Sequence, residues 1–517
     1  MNVKKKLISL ILALCMVFAM LPVMSGAADV VRSGSWGDGG TWTLDSEGTL
    51  TVSGEGEMTA ESWYIFSNDI LDGIKAVVIE EGVTSIADNA FYGITAIKTV
   101  SIPSTVTFIG KNAFYGCAGL TSVSIPASVE TIRDGAFYGC TGLESLTIAE
   151  GVLTIGNEAF RDCESLKEAD IPSGVTSIGE GTFRGCNALS SVTIPDGVTS
   201  IEKYTFYDCD SLTSVIIPDS VTSIGHGAFV SCTSLSSVSI PPTVTSIGDN
   251  AFGVCESLQS VSIPNSVTHI GERAFRGCIG LSSVTIPDGV TAIGEATFRG
   301  CTGLKSVSIP QSVASIGKEA FYGCKSLGYV NIPSGVSSIG DSAFKNCSAL
   351  AAVTIEQGVE SIDINAFYDC ESLTTFVLPA SVRSIGFWAF GFCYSLTDVY
   401  YGGGKAAWDG MHIGSSNTSF TNAAIHYGSA PALRSDPETG EIISAVREDA
   451  AAAMSGDVSA SSPVFVALYD EKGKMISVKK LTSPSSIDVS GGASAKLIWM
   501  NAAGFTPKSE CVEFELN

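Results

Sequence analysis

The chain has 517 residues, a formal net charge of −24 at pH 7 and only 16% charged residues. Globular proteins carry about 25% charged residues, so serine, threonine and glycine must cover much of this surface. The acidic balance, without a basic patch interleaved with aromatic residues, argues against nucleic acid and anionic membranes as partners. This composition favours an extended repeat protein.

Residues 1–27 have the layout of a secretory signal peptide. Lysines at positions 4 to 6 precede an apolar run from Leu7 to Met24, and small residues follow at positions 25 to 27. After this segment, no apolar run reaches the roughly 18 residues that a membrane helix needs. We therefore expect an exported protein without a membrane span, located outside the cell or on its surface.

Residues 28–70 do not follow the period of the later sequence, and we interpret them as an N-terminal cap. Two strand-like runs, residues 41–44 and 49–52, flank a turn rich in polar residues, which predicts a hairpin. A terminal repeat exposes apolar surface unless a cap covers it. The aromatic residues that could cover the first repeat are Trp42, Trp63 and Phe66.

Residues 71–401 contain a repeat with a period of 23 residues. Phenylalanine recurs at this spacing without a slip, at Phe91, Phe114, Phe137, Phe160, Phe183, Phe206, Phe229, Phe252, Phe275, Phe298, Phe321, Phe344, Phe367 and Phe390. A cysteine follows three residues later in every copy except the first, and a leucine follows after three more. One such coil cannot bury its own apolar face, whereas stacked coils bury Phe on Phe continuously.

Each coil predicts two extended segments. The run Leu281-Ser-Ser-Val284-Thr-Ile286 alternates and ends at Pro287, which lacks a ladder donor, so it predicts a short strand. A second apolar pair precedes a glycine, such as Gly110 or Gly225, that suits a turn with positive φ. Fifteen coils from Ile74 to Leu396, at about 4.8 Å per strand, predict a stack roughly 70 Å long.

The full pattern, Ala-Phe-x-x-Cys-x-x-Leu-x-x-Val-x-Ile-Pro-x-x-Val-x-x-Ile-Gly, resembles the BspA-like leucine-rich repeats of bacterial surface proteins. This resemblance implies a curved, right-handed solenoid with a parallel β-sheet. It also implies adhesion to host proteins, to matrix or to other cells.

The C-terminal part departs from the period again. Residues 402–428 resemble the far cap of the same family, with Trp408 and Ile413 as candidate lids. Residues 429–437, rich in serine, alanine and proline, predict a linker. Residues 438–517 contain several strand-like runs and predict a small all-β sandwich.

Chemistry for catalysis is sparse in this sequence. Its four histidines have no metal-binding spacing, and we find no phosphate loop, nucleophile elbow or zinc motif. We therefore expect no catalytic, cofactor or metal site. An enzyme would require acidic or histidine residues from several coils to converge in one pocket.

The cysteine column admits two interpretations. Export and an even number of mature cysteines favour disulfides. However, stacked side chains point the same way, which keeps their Cβ atoms farther apart than the ~3.8 Å a disulfide prefers. We therefore predict buried free thiols that act as small apolar fillers.

The residue after each phenylalanine forms a second column, which we place on the convex side. It includes Tyr92, Tyr115, Tyr138, Arg161, Arg184, Tyr207, Arg276, Arg299, Tyr322, Lys345 and Tyr368. Stacking of neighbouring Tyr and Arg side chains would stabilise the coils. The alternative role is binding of a glycan or the cell wall, because aromatic rings serve as apolar platforms.

The ligand-binding candidates lie on the predicted strands, beside the inward valine, where side chains face away from the core. Most of these positions hold serine or threonine. Larger or charged residues that could form a binding hot spot are Glu168, Asp170, Tyr329, Asn331, Asp398 and Tyr400, with Ile216 as a further departure. Drift at tolerant surface positions is the alternative explanation.

The sequence thus predicts a secreted or cell-surface protein that presents a rigid repeat surface to an extracellular protein, or alternatively to a glycan.

Overall fold

A computed structural model describes residues 28–37, 39–58, 71, 73–428 and six strands beyond them. The predicted signal peptide, Trp63 and Phe66 lie outside the described residues. In the described part, no helix has the length and apolar character needed to cross a membrane.

The N-terminal cap is the hairpin that the sequence predicts. Its strands are β1 (Val30–Trp36), β2 (Gly40–Asp45), β3 (Thr49–Ser53) and β4 (Gly56–Glu57). The first three pair antiparallel, and β3 then pairs in parallel with the first strand of the repeats. Trp42 is buried in this cap, which joins the hairpin to the same core as the coils.

Each of the fifteen predicted coils contributes one strand of three or four residues, which we call its first strand. These strands are β5 (Ala76–Ile79), β7 (Thr99–Ser101), β9 (Ser122–Ile125), β11 (Ser145–Ile148), β13 (Glu168–Asp170), β15 (Ser191–Thr193), β17 (Ser214–Ile216), β19 (Ser237–Ser239), β21 (Ser260–Ser262), β23 (Ser283–Thr285), β25 (Ser306–Ser308), β27 (Tyr329–Ile332), β29 (Ala352–Ile355), β31 (Thr375–Leu378) and β33 (Asp398–Tyr401). They pair in parallel and in register, so that Val238 lies beside Val261. The predicted parallel β-solenoid is therefore confirmed.

The second extended segment of each coil forms a second parallel ladder. Its strands are β6 (Val83–Ile86), β8 (Phe108–Ile109), β10 (Thr131–Ile132), β12 (Thr154–Ile155), β14 (Ser177–Ile178), β16 (Ser200–Ile201), β18 (Ser223–Ile224), β20 (Ser246–Ile247), β22 (His269–Ile270), β24 (Ala292–Ile293), β26 (Ser315–Ile316), β28 (Ser338–Ile339), β30 (Ser361–Ile362) and β32 (Ser384–Ile385). Neither ladder is continuous. The ladder of first strands is interrupted between β11 and β13 and between β25 and β27.

The phenylalanine column forms the centre of the core. Every one of these rings from Phe91 to Phe390 is fully buried, and neighbouring centroids lie 5.1 to 5.8 Å apart in stacked pairs. Phe252, in the middle, lies 5.3 Å from Phe229 and 5.5 Å from Phe275. The backbone of each turn also bonds to the next coil, as when the Phe252 amide donates to the Ala274 carbonyl oxygen at 2.8 Å.

The prediction of buried free thiols is confirmed for all thirteen cysteines of the column. Each thiol donates to the phenylalanine carbonyl of the preceding coil, for example from Cys255 Sγ to Phe229 O at 3.1 Å. Burial raises the pKa of the Cys117 and Cys278 thiols to about 12. These cysteines therefore pack as neutral, hydrogen-bonded side chains.

The prediction of positive φ at the glycine after the second strand is wrong. Gly110 and Gly225 have ordinary φ, and positive φ occurs two residues later, at Asn112 and Gly227. The glycine is needed for another reason. A Cβ at Gly110 would lie 2.5 Å from the backbone of Ala87 in the preceding coil, so the close approach of the two backbones leaves no room for a side chain.

The C-terminal cap consists of α1 (Lys405–Asp409), β34 (His412–Ile413), α2 (Thr418–Thr421) and β35 (Ala424–Tyr427). Strands β34 and β35 extend the two ladders by pairing in parallel with β32 and β33. Phe420 stacks on Phe390 with centroids 4.4 Å apart and so ends the phenylalanine column. Trp408 covers Phe420 at 5.5 Å, whereas Ile413 packs against the core at its edge.

The described strands beyond the cap are all antiparallel. They are β36 (Pro431–Ser435), β37 (Ile442–Arg447), β38 (Val464–Tyr469), β39 (Met475–Lys480), β40 (Ser494–Trp499) and β41 (Cys511–Glu515). The first two form one sheet, and the other four form a second sheet in the order β39-β38-β40-β41. The sequence predicts a linker for residues 429–437. Strand β36 lies inside this segment and pairs with β37.

Candidate functional site

The outward side of the first strands forms a broad polar surface, which we call the first-strand face. In β19, Ser237 and Ser239 are exposed on either side of the buried Val238. This alternation follows from the pleat of a strand, and it recurs in the neighbouring coils. Since most side chains on this face are small hydroxyls, its few larger residues determine where a ligand could gain binding energy.

Glu168 and Asp170 lie on this face as predicted, and both are exposed. Thr193 in the next strand donates from Oγ1 to Asp170 Oδ1 at 3.2 Å. Ile216, which pairs with Thr193, is 79% exposed. An acidic pair and an exposed apolar side chain are thus two strands apart in this region.

The structure corrects the prediction for Tyr329. Its side chain does not project into solvent but is only 8% exposed, and its hydroxyl lies 3.1 Å from Thr354 Oγ1. Asn331, on the same strand, is half-buried and donates from Nδ2 to Glu356 Oε1 at 2.7 Å. Since its hydroxyl reaches Thr354, the Tyr329 side chain extends over the neighbouring strand, where Ala352 pairs with it.

Glu356 organises the polar groups beside Asn331. Its Oε2 accepts hydrogen bonds from Gln311 Nε2 at 2.8 Å and from the Ser334 amide at 3.1 Å. Burial acts to raise the pKa of the Glu356 carboxyl, but these hydrogen bonds to the ionised form outweigh it and lower the pKa. Sequence reasoning missed this residue, although it stands where most coils have the proline that ends the first strand.

A cleft of about 320 Å³ opens beside Tyr329, at the interruption of the ladder between β25 and β27. Its residues are Ser283, Val284, Thr285, Ser306, Val307, Ser308, Ile309, Tyr329 and Asn331. Val307 and Ile309 are half-buried here, whereas Val284 and Ile286, their counterparts one coil earlier, are buried. Part of the apolar core is therefore exposed in this cleft, under a rim of hydroxyl groups. Val100 and Ile102 are the corresponding half-buried pair near the N-terminal end.

Asp398 and Tyr400 form a third group, together with a residue that the sequence reasoning did not select. His426 Nε2 lies 2.8 Å from Asp398 Oδ1, and the His426 ring stacks on Tyr400 with centroids 4.5 Å apart. His426 belongs to the cap strand β35, which no longer follows the 23-residue period. Only the parallel pairing of β33 with β35 brings these three side chains together.

The predicted residues thus occupy three separate places on one face. Asp170 and Asn331 are seven periods apart in the sequence, which corresponds to roughly 34 Å along the stack. Asn331 and Tyr400 are three periods apart, or roughly 14 Å. The face therefore suits an extended ligand better than a single small molecule that would touch all six residues.

Comparison with known proteins identifies the family. A family model described as "BspA type Leucine rich repeat region (6 copies)" matches residues 62–190, 153–282 and 268–397, which together cover more than half of the chain. The chain belongs to the BspA-type leucine-rich repeat family. No curated protein matches it.

The chain is also similar to several solved structures. A leucine-rich repeat protein from Bacteroides ovatus is 30% identical, covers 75% of this chain and 98% of its own, and gives a TM-score of 0.63. A leucine rich cell surface protein from Faecalibacterium prausnitzii is 27% identical over 75% of this chain and 99% of its own, with a TM-score of 0.42. The pneumococcal vaccine antigen PcpA is 17% identical over 77% of this chain and 99% of its own, with a TM-score of 0.38.

The residues that follow each phenylalanine form the column that we call the Tyr/Arg column. In this BspA-type solenoid it supports the stack. Tyr92 stacks on Tyr115 and Tyr115 on Tyr138, each pair with centroids 4.6 Å apart. The Arg161 guanidinium then lies 4.8 Å from the centre of the Tyr138 ring. Neighbouring coils therefore cover both ring faces of Tyr115 and of Tyr138.

The described residues contain no group of three or more histidine, cysteine or acidic side chains that could hold a metal ion. The carboxylates on the first-strand face instead accept hydrogen bonds from protein groups, as Asp170 and Glu356 do. Hydrogen bonding and apolar contact are both available to a ligand on this face.

Proposed function

We propose that this chain is an exported, surface-exposed binding protein that takes an extracellular protein on its first-strand face. Residues 1–27 would direct its export, and the stacked coils would hold the face rigid. The observation that carries the proposal is the cleft between β25 and β27, where the half-buried Val307 and Ile309 lie at the base of a polar rim.

Protein interfaces draw most of their binding energy from a few apolar or aromatic anchors that enter well-packed pockets. A cleft of about 320 Å³ is at the small end of the range for ligand pockets, about 300 to 1,000 Å³, and so fits one large side chain. The hydroxyls of Ser283, Thr285 and Ser308 surround the opening and can bond to the main chain of the same partner. We therefore expect an apolar side chain of the partner to enter the cleft.

The rest of the face would provide specificity. The acidic pair Glu168 and Asp170 and the group of Asp398, Tyr400 and His426 lie on opposite sides of the cleft along the stack. A partner that spans them would cover eleven coils, a distance that only a protein or a long polymer reaches. Acidic groups at both ends favour a partner with basic residues there.

The test blocks the cleft without removing any core residue. Ser308→Trp places a large ring at the exposed rim of the cleft. Ser239→Trp places the same ring on the regular part of the face, three first strands from the acidic pair on β13 and three from Ser308 on β25. The mature protein is first assayed against a panel of purified extracellular matrix proteins by surface plasmon resonance. We expect the Ser308→Trp variant to bind its partner at least tenfold more weakly, and the Ser239→Trp variant to bind within twofold of the native protein.

Two results would contradict the proposal. If no extracellular protein on the panel or on intact host cells binds, the face does not serve protein adhesion. If Ser308→Trp and Ser239→Trp weaken binding equally, the partner does not use the cleft.

A further inference from the structure

The last complete coil carries a group of exposed aromatic residues on its turn side, away from the first-strand face. We call Tyr368, Phe387, Trp388, Phe392 and Tyr394 the aromatic patch. Phe387 is 45% exposed and Tyr394 is 79% exposed, and the other three rings are half-buried. In the coil before, the positions that correspond to the last four residues hold Ile364, Asn365, Asp369 and Glu371.

The rings of the aromatic patch form one connected surface. Trp388 lies 5.8 Å from Phe387 and 5.4 Å from Phe392, and Phe392 lies 5.8 Å from Tyr394. Tyr368 in the preceding coil contacts Phe392 at 5.0 Å. The Trp388 and Phe392 planes are inclined by 48°, and the Phe392 and Tyr394 planes by 49°, so the patch is a stepped surface.

Two of these aromatic residues occupy unfavourable backbone conformations. Trp388 has φ of 58° and Phe392 has φ of 62°. The same two positions hold asparagine and glycine in several other coils, such as Asn112 and Gly116 in the second. Left-handed φ is tolerated by glycine and asparagine but strained for a bulky side chain, although other coils also accept bulky residues there, such as Tyr204 at the first position and Val254 at the second.

A glycine makes room for the patch. A Cβ at Gly391 would lie 2.4 Å from Trp388 Cε3 and 2.9 Å from Tyr368 Cδ2. Gly391 stands at the position of the Tyr/Arg column, so the side chain that would continue that column is missing and the Trp388 ring lies there instead. The position of the Trp388 ring therefore depends on the glycine at position 391 of the same coil.

Capping of the stack does not explain the aromatic patch. Phe420 already covers the last ring of the phenylalanine column, and Trp408 covers Phe420. Exposed rings such as Tyr394 bury little surface and add little stability. The exposure of these connected rings therefore favours a binding role.

We propose that the aromatic patch binds an uncharged glycan. The apolar C–H face of a pyranose ring packs on an aromatic ring, and its hydroxyls reach polar groups at the edge, so successive inclined rings match successive sugar units. The patch spans only two coils, roughly 10 Å along the stack, which is narrow for the ~800 Å² per partner that a stable protein interface buries. The net charge of −24 disfavours acidic glycans. This site is independent of the protein-binding site on the first-strand face.

The test uses the mature chain on an array of uncharged oligosaccharides: β-glucans, mannans, chitin oligomers and host glycans without sialic acid. The variant combines Trp388→Asn, Phe392→Gly and Tyr394→Thr, which restores the residue types that other coils use at these positions. We expect it to lose at least tenfold in affinity for the glycans that the native chain binds. Its melting temperature should equal or exceed that of the native chain, because asparagine and glycine tolerate the left-handed φ.

The matched control is Tyr92→Ala, which removes an exposed ring at the opposite end of the stack and should leave glycan affinity unchanged. Three outcomes would overturn the proposal. The native chain binds no uncharged glycan, or the triple variant binds as well as the native chain, or the triple variant melts at a clearly lower temperature, which would identify the patch as a structural cap. If the triple variant loses protein binding while the native chain binds no glycan, the result counts as the first of these outcomes.

Discussion

Replacement of Phe252 by alanine tests the stacked core directly. The ring is fully buried between Phe229 at 5.3 Å and Phe275 at 5.5 Å, so its removal leaves a cavity bounded by two other rings. Phe→Ala changes in protein cores cost about 3 to 5 kcal/mol, as the sum of lost burial and incomplete collapse around the cavity. We expect a value in this range, because the hydrogen bond from the Phe252 amide to the Ala274 carbonyl remains. This bond keeps the two coils at their normal spacing and so limits collapse of the cavity.

The position of Phe252 in a one-dimensional stack adds a second expectation. Each coil contacts only its neighbours, so a weakened central interface uncouples the two halves of the solenoid. In a urea titration followed by circular dichroism, the variant should unfold at lower urea concentration and with two resolved transitions. Ser260→Ala, an exposed change on the adjacent strand β21, serves as control and should stay within about 0.5 kcal/mol. A loss below about 1 kcal/mol for Phe252→Ala would refute the stacked-core reasoning.

The remaining predictions concern titratable groups of the described coils. Thiol labelling of the native protein should modify few cysteines of the column, whereas denaturation without reductant should expose nearly all; labelling that requires a reductant would indicate disulfides instead. Burial raises the pKa of the Cys117 thiol to about 12, so the unfolded chain ionises first, and stability should fall as the pH rises above about 8.5. Hydrogen bonds lower the pKa of Glu356, so its contribution is present above about pH 4.3 and is lost as the pH falls through the lower, folded-state pKa. Glu356→Gln should therefore unfold with a weaker acid dependence than the native protein, and an unchanged acid profile would count against the hydrogen-bond network.

The candidate site was predictable only in part. Positions on either side of Val238 could be placed on the outward face, because the alternation of a strand depends on local sequence. Asp170 followed the same rule and is exposed. The same rule fails for Tyr329, which bends over a small neighbour in the next strand and becomes buried. Its partner Thr354, and Glu356, the partner of Asn331, come from the following coil, so no pattern within one repeat reveals them.

The sequence alone determines the repeat unit of this protein. A period of 23 residues places each Phe, Cys and Leu above its equivalents, and the burial of Phe252 and Cys255 follows from that stacking whatever the exact shape of the coil. Tertiary structure decides where the repeat is broken. The cleft over Val307 lies where the ladder is interrupted after β25, and the cap brings His426 to Tyr400 and Phe420 to Phe390. These features depend on contacts between different coils and between a coil and a cap, and such contacts are set by the packing of the whole stack rather than by the pattern inside any one repeat.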